Sequence, residues 1–202
     1  MLQTQTASVE LLELLKKLMN DDLFKNFVLV GGTSLALQIG HRNSIDIDLF
    51  GNQEINQEIF LDTLNEFGNV VISQTSKNIF ISEINNVKVD FVNYKYPLLS
   101  EIITVDGIRM ASKKDIAAMK LNAILGRGSK KDFIDLYFLL DDFSLPEMIA
   151  FFKAKYSDGS LFLLYRSLAY FGEADEQPQP KMFKDFDWEA CKQKISNEVL
   201  KL

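Results

Sequence analysis

The chain has 202 residues, a formal net charge of −6, 47% apolar residues and 25% charged residues. That length suits one large domain or two small ones, at roughly 100–200 residues per domain, and the composition excludes a chain disordered over most of its length. The acidic balance excludes bulk, sequence-blind binding to nucleic acid, which depends on neutralising phosphates, and no apolar run approaches the ~20 residues that span a bilayer.

In chain order, SVELLELLKKLM (8–19) sets Leu11, Leu14, Leu15 and Leu18 at helical spacing behind Ser8 as a cap. The segment before it, MLQTQTASVE, lacks the basic start of a signal peptide, so the expected location is the cytoplasm, with no membrane partner. Phe27 to Val30 is a short apolar run that ends at Gly31-Gly32, the pattern of a buried strand and a tight turn. Thr33 to Ile39 reads as a short helix closed by Gly40. Ser44 to Phe50 alternates with the period of a strand, and 55–67 reads as a helix. Strands are expected at 69–74, 78–84 and 87–93, with Asn85-Asn86 as a hairpin turn. After Pro97 the pattern becomes helical: 112–125 behind the capping pattern Ser112-x-x-Asp115, then 131–141, 146–156, 160–171 and 188–200. A polar connector, EADEQPQPKMFKDFD, fills 173–187. Cys191, the one cysteine, excludes an intrachain disulfide and reads as a small apolar residue of the last helix. The expectation is an α+β protein in which an α/β core (1–100) precedes a helical domain (101–202).

The chemistry concentrates between Val30 and Leu49. On a strand, Asp46 and Asp48 share one face while Ile45, Ile47 and Leu49 point to the other. Two carboxylates ~4 Å apart repel by about 4 kcal/mol at an effective dielectric near 20, a cost that a bound cation removes. Oxygen ligands without nitrogen or sulfur suit Mg²⁺ or Mn²⁺. A bare Asp-x-Asp is more often a solvated strand face. Here it follows a strand–Gly31-Gly32–helix unit, whose first amides can hold phosphate oxygens, with Thr33 and Ser34 adding hydroxyls. Together the two halves make a nucleoside triphosphate site. Asp90, alternating with Val89 and Phe91 on another strand, would complete a carboxylate triad. Arg42 could grip phosphate as a bidentate fork or brace its loop. His41 beside it is a weaker candidate for a base, because an aspartate and a metal serve this chemistry. Lys113, Lys114, Lys120, Arg127, Lys130 and Lys131 form an expected local basic cluster.

The pattern of apolar residue, Gly-Gly, spacer and Asp-x-Asp resembles the signature of polymerase-β-type nucleotidyltransferases. More closely, GGTSLALQIGHRNSIDIDLF and the second block DIAAMKLNAILGRGSKKDFIDLYFLL (115–140) resemble the AbiEii/AbiGii toxin family of nucleotidyltransferases. The resemblance implies a nucleotidyltransferase-like mixed β-sheet flanked by helices, followed by a C-terminal helical bundle that completes the active site. It implies transfer of a nucleotide from a nucleoside triphosphate to an acceptor hydroxyl, with release of pyrophosphate. Gly31, Gly32 and Ser34 would bind phosphate, and Asp46, Asp48 and Asp90 would bind Mg²⁺ (or Mn²⁺). Lys120 would touch the triphosphate, Asp132 (with Asp135) would be the family's helical acid, and Arg127 the basic residue before it. It further implies the toxin of a toxin–antitoxin pair, with tRNA or protein as acceptor and a cognate antitoxin as partner. Two other readings stay open: an inactive binding module on the same fold, and a small-molecule nucleotidyltransferase of the antibiotic-modifying kind.

Overall fold

The computed structural model describes residues 1–202. The chain divides into two compact units, one of residues 1–96 and 102–111, the other of residues 97–101 and 112–202.

The first unit carries the sheet. Helix α1 (Val9–Asn20) begins where the Ser8 hydroxyl accepts the Leu11 amide, and buries Leu11, Leu14, Leu15, Leu18 and Met19 along one face. Strand β1 (Val28–Leu29) leads into α2 (Gly31–Ile39), which ends at Gly40 in the left-handed region. Strand β2 (Asp46–Gly51) and helix α3 (Gln57–Asn65) follow. Next come β3 (Val70–Ser76), β4 (Ile79–Ile84) and β5 (Val87–Asn93). Asn85 and Asn86 both have positive φ, as the expected β4–β5 hairpin turn requires. Two short strands complete the sheet, β6 (Ile103–Val105) and β7 (Ile108–Met110). The seven strands lie in the order β3-β4-β5-β2-β1-β7-β6. Pairing is parallel between β2 and β5 and between β1 and β7, and antiparallel elsewhere. The sheet is therefore mixed, as expected.

The β6–β7 hairpin was not among the expected strands. It turns at Asp106-Gly107, both at positive φ. Arg109 fixes it from below, donating to the carbonyls of Met19, Phe24 and Phe27. Helix α2 also starts two residues earlier than expected, because the glycines form its first turn.

One apolar core lies under the sheet. Phe24, Phe27, Phe60 and Phe91 meet there, with ring centroids 4.7 Å apart for Phe24–Phe91 and 5.3 Å for Phe27–Phe91. Ile47, Leu49, Val89 and Phe91 are buried in it, and these are the residues that alternate with the aspartates of β2 and β5. A one-residue slip of either strand would push carboxylates into this core and aromatic and aliphatic side chains into water, so the register is strongly fixed. Ile45 departs from the expectation: it precedes β2, is 59% exposed, and contributes nothing to the core.

The second unit is helical: α4 (Lys113–Gly126), α5 (Lys130–Leu139), α6 (Leu145–Lys155), α7 (Leu161–Leu168), α8 (Gly172–Asp175) and α9 (Trp188–Val199). The short α8 runs into what the sequence presented as a polar connector. Asp115 and Lys155 form a buried ion pair of 2.8 Å here. Lys155 Nζ also donates to the Pro97 carbonyl, and Asp115 accepts from the Leu99 amide and the Ser112 hydroxyl. Every ligand of this pair lies in the helical unit, so the pair pins residues 97–101 onto α4 and α6. No helix is long and apolar enough to cross a membrane.

Candidate active site

The parallel pairing of β2 with β5 sets Asp48 directly beside Asp90, and Asp46 beside Lys88. All four face away from the apolar core. The strand periodicity thus delivers the predicted triad Asp46, Asp48 and Asp90 to one surface, and adds a lysine that the sequence reading passed over. The signal was there: in Val87-Lys88-Val89-Asp90, Lys88 stands two residues from Asp90 and so on the same face. Lys88 Nζ lies 2.7 Å from Asp90 Oδ2. Burial works against the ammonium, but Asp90 beside it and the charges of Asp46 and Asp48 outweigh that, raising the Lys88 pKa above the ordinary lysine value. The other Asp90 oxygen, Oδ1, is buried and has no hydrogen-bond partner.

The glycines are fixed by their neighbours. Gly31 opens α2 at φ +67°, and a Cβ there would stand 2.5 Å from Asp48 Oδ2. Any side chain at 31 would be strained in its backbone and would fill the space above the carboxylate. The first amides of α2 therefore start beside Asp48. A Cβ on Gly32 would run into the Arg42 guanidinium. Arg42 itself is buried and donates from Nη1 to the Asn43 carbonyl at 2.8 Å. Thr33 and Ser34 are buried too. The Thr33 hydroxyl hydrogen-bonds the Ser44 hydroxyl at 2.8 Å and the Asp46 carbonyl, tying the first turn of α2 to the start of β2. Ser34 Oγ accepts from the Gln38 amide at 3.2 Å. In this structure their hydroxyls thus serve the loop from inside. His41 is fully buried.

The remaining predicted residues lie in the helical unit and form a second constellation. Lys120 Nζ, on α4, is 3.0 Å from Asp132 Oδ1 and 2.6 Å from Asp135 Oδ2, both on α5. Arg127 Nε is 2.9 Å from Asp132 Oδ2, and the Ser129 hydroxyl donates to that oxygen at 2.7 Å. Both carboxylates are fully buried and Lys120 nearly so, whereas the Arg127 side chain is 71% exposed. Burial pushes the Asp132 carboxyl upward, but the Lys120 charge and the Arg127 and Ser129 contacts overcome it and hold the group down at about 2. Asp132 is an anion at any physiological pH.

The expected basic cluster is corrected by these contacts. Lys113 pairs with Asp142, Lys114 lies over the Phe151 ring, and Lys120 and Arg127 are joined to Asp132. Lys130 is buried against Trp188 with its Nζ toward the Asp175 carbonyl. Partners distant in sequence take up Lys113, Lys114, Lys120 and Lys130, whereas Arg127 meets Asp132 five residues on. Cys191 is buried, and its environment pushes the thiol up to about 12, so it is a packed side chain and not a nucleophile.

The chain matches the family model for the nucleotidyl transferase AbiEii toxin of type IV toxin–antitoxin systems over residues 13–106 and 79–201. It belongs to that family. Its likeness extends to an uncharacterized protein of Aquifex aeolicus strain VF5, aq_aa25, 34% identical over 195 residues and 93% of each chain. Among solved structures, a candidate nucleotidyltransferase from Helicobacter pylori superposes with a TM-score of 0.60 at 18% identity, over 95% of this chain and 91% of its own. JHP933 from Helicobacter pylori superposes at 0.58 and 17% identity, over 95% and 88%. These structural likenesses show the fold. Membership makes this AbiEii chain a nucleotidyltransferase, an enzyme of a family that uses a nucleoside triphosphate and typically a divalent metal.

The donor set fits such a metal. It is all oxygen, one carboxylate oxygen is buried and bare, and Gly31 keeps the space over Asp48 open. No group of three or more acidic, histidine or cysteine side chains forms a ready-made cage. Mg²⁺ commonly takes one or two carboxylates and completes its shell with water and substrate phosphate.

Proposed function

We propose that this enzyme transfers a nucleoside monophosphate from a triphosphate to an acceptor hydroxyl on tRNA or protein, as the toxin of a toxin–antitoxin pair. The observation that carries the reading is the shared face of Asp46, Asp48 and Asp90 beside the Gly31 turn.

Asp46, Asp48 and Asp90 would hold Mg²⁺ or Mn²⁺, which would supply charge stabilisation for a displacement at the α-phosphorus. The amides of Gly31 and Gly32, at the positive end of α2, hold phosphate oxygens. Thr33 and Ser34 keep that first turn in place through their internal hydrogen bonds. Arg42 braces the turn from behind Gly32. Asp90, on the same face, takes the proton of the acceptor hydroxyl as that oxygen attacks. Within the helical unit, Asp132 and Asp135 fix the Lys120 ammonium, with Arg127 beside it on Asp132, as a positioned charge for an anionic group. Its donor atoms are fixed by the two carboxylates, which suits positioning of a charge better than free reach.

The family suggests an antitoxin partner. The test is incubation of wild type and the Asp46→Asn variant with each α-labelled triphosphate and either total tRNA or total protein. Label on one of these polymers, lost in Asp46→Asn while the fold persists, supports the reading and names the acceptor. Label only on small molecules would move the enzyme to the antibiotic-modifying class. Full transfer by Asp46→Asn would overturn the role of the carboxylate face.

A further inference from the structure

We propose that Lys88 is the resident counter-ion of the carboxylate face and keeps a divalent metal from binding tightly until it arrives together with a triphosphate. The proposal rests on the reading that Asp46, Asp48 and Asp90 hold the metal.

Three carboxylates on neighbouring positions of two paired strands repel one another, and the strands hold them there by burying Ile47, Leu49, Val89 and Phe91 on the other face. The chain supplies its own cation for that face. Lys88 lies beside Asp46 in the register and reaches Asp90 Oδ2 at 2.7 Å. The facing charges on the paired strands are all acidic: Asp46 and Asp48 of β2, Asp90 of β5, and Glu83 of β4, which lies opposite Lys88 in the register.

A bare divalent ion must compete with that ammonium for the same oxygens. A metal–triphosphate brings phosphate anions of its own, and these give the ammonium a new partner. The Lys88 side chain is 50% exposed and ends a flexible four-carbon stem, so it can swing from Asp90 to a phosphate without disturbing the core. Free metal therefore binds weakly and the metal–nucleotide complex binds well, which makes loading depend on substrate.

The test compares wild type, Lys88→Met and Lys88→Arg in two measurements: Mn²⁺ affinity without nucleotide, from the electron paramagnetic resonance of free Mn²⁺, and the rise in melting temperature caused by Mn²⁺. Lys88→Met is expected to bind Mn²⁺ alone about tenfold more tightly, ~1.4 kcal/mol, and to gain more in melting temperature. Lys88→Arg keeps the charge and is expected to behave as wild type. A misfolded variant cannot imitate a gain in affinity. Unchanged Mn²⁺ affinity in Lys88→Met, with wild type still binding Mn²⁺ together with ATP, GTP, CTP or UTP, overturns the proposal alone. Weaker Mn²⁺ binding in Lys88→Met also overturns it, and would make Lys88 a residue that orients Asp90 for the metal. Absence of Mn²⁺ binding in all three proteins, with or without any of the four triphosphates, removes the metal reading and this proposal together.

Discussion

Replacing Asp132 by Asn tests the charge network of the helical unit. The carboxylate is buried and held at about 2, against the ordinary aspartate value of 3.8. At one pKa unit per 1.36 kcal/mol, that depression contributes about 2–3 kcal/mol to folding at neutral pH. Asparagine keeps the shape but not the charge, and leaves Lys120 with Asp135 as its remaining carboxylate. The loss is therefore expected near 3 kcal/mol, the lower end for breaking a buried pair. For a chain of this size each kcal/mol is worth about 2–4 °C, so the melting temperature should fall by roughly 6–12 °C at pH 7. The pH dependence has a definite sign. A lowered carboxylate stabilises the fold above its unfolded pKa and ceases to do so as pH falls through its folded pKa. The gap between wild type and Asp132→Asn should therefore be full at pH 7 and shrink between about pH 4 and pH 2. Urea denaturation of both proteins at pH 7 and across that acid range measures it. Equal stability at pH 7, or a gap constant down to pH 2, would refute the reasoning.

Other positions have equally direct outcomes. Gly31→Ala places a methyl group at positive φ and against Asp48; the backbone strain costs about 1–2 kcal/mol, and nucleotide affinity should fall far more than the melting temperature does. Lys155→Met strands Asp115 in the interior and should cost about 3–5 kcal/mol, whereas Lys155→Met combined with Asp115→Leu should cost less than the sum of the single changes; a strictly additive cycle in urea would mean the pair does not couple. The Cys191 thiol should resist alkylation by iodoacetamide at pH 8 in the native protein and react once the chain is unfolded, which mass spectrometry reads directly.

The strands of the site were legible because their residues obey a simple period. Ile47 and Leu49 alternate with Asp46 and Asp48, Val89 and Phe91 with Asp90, and each set lies where the alternation places it. The Asn85-Asn86 turn was equally local. The β6–β7 hairpin was overlooked although Asp106-Gly107 is a strong turn signal, because its strands have only three residues each and one of them, β6, is largely exposed. The pairing of β2 with β5 was beyond a local reading, since it joins residues some forty positions apart in parallel; that pairing is what brings Lys88 and Asp90 to Asp46 and Asp48. The partners of Lys113, Lys120 and Lys130 lie on other helices or in the chain beyond them. Sequence proximity suggested a basic cluster, and tertiary packing assigned its lysines to different neighbours.

The most direct test of the central claim is isothermal titration of ATP, GTP, CTP and UTP, each with Mg²⁺, into wild type and into the Asp46→Asn/Asp48→Asn double variant. The account predicts binding of at least one metal–nucleotide to wild type and its loss, or a sharp weakening, in the folded double variant. Equal binding to both proteins, or none to a folded wild type, would contradict it.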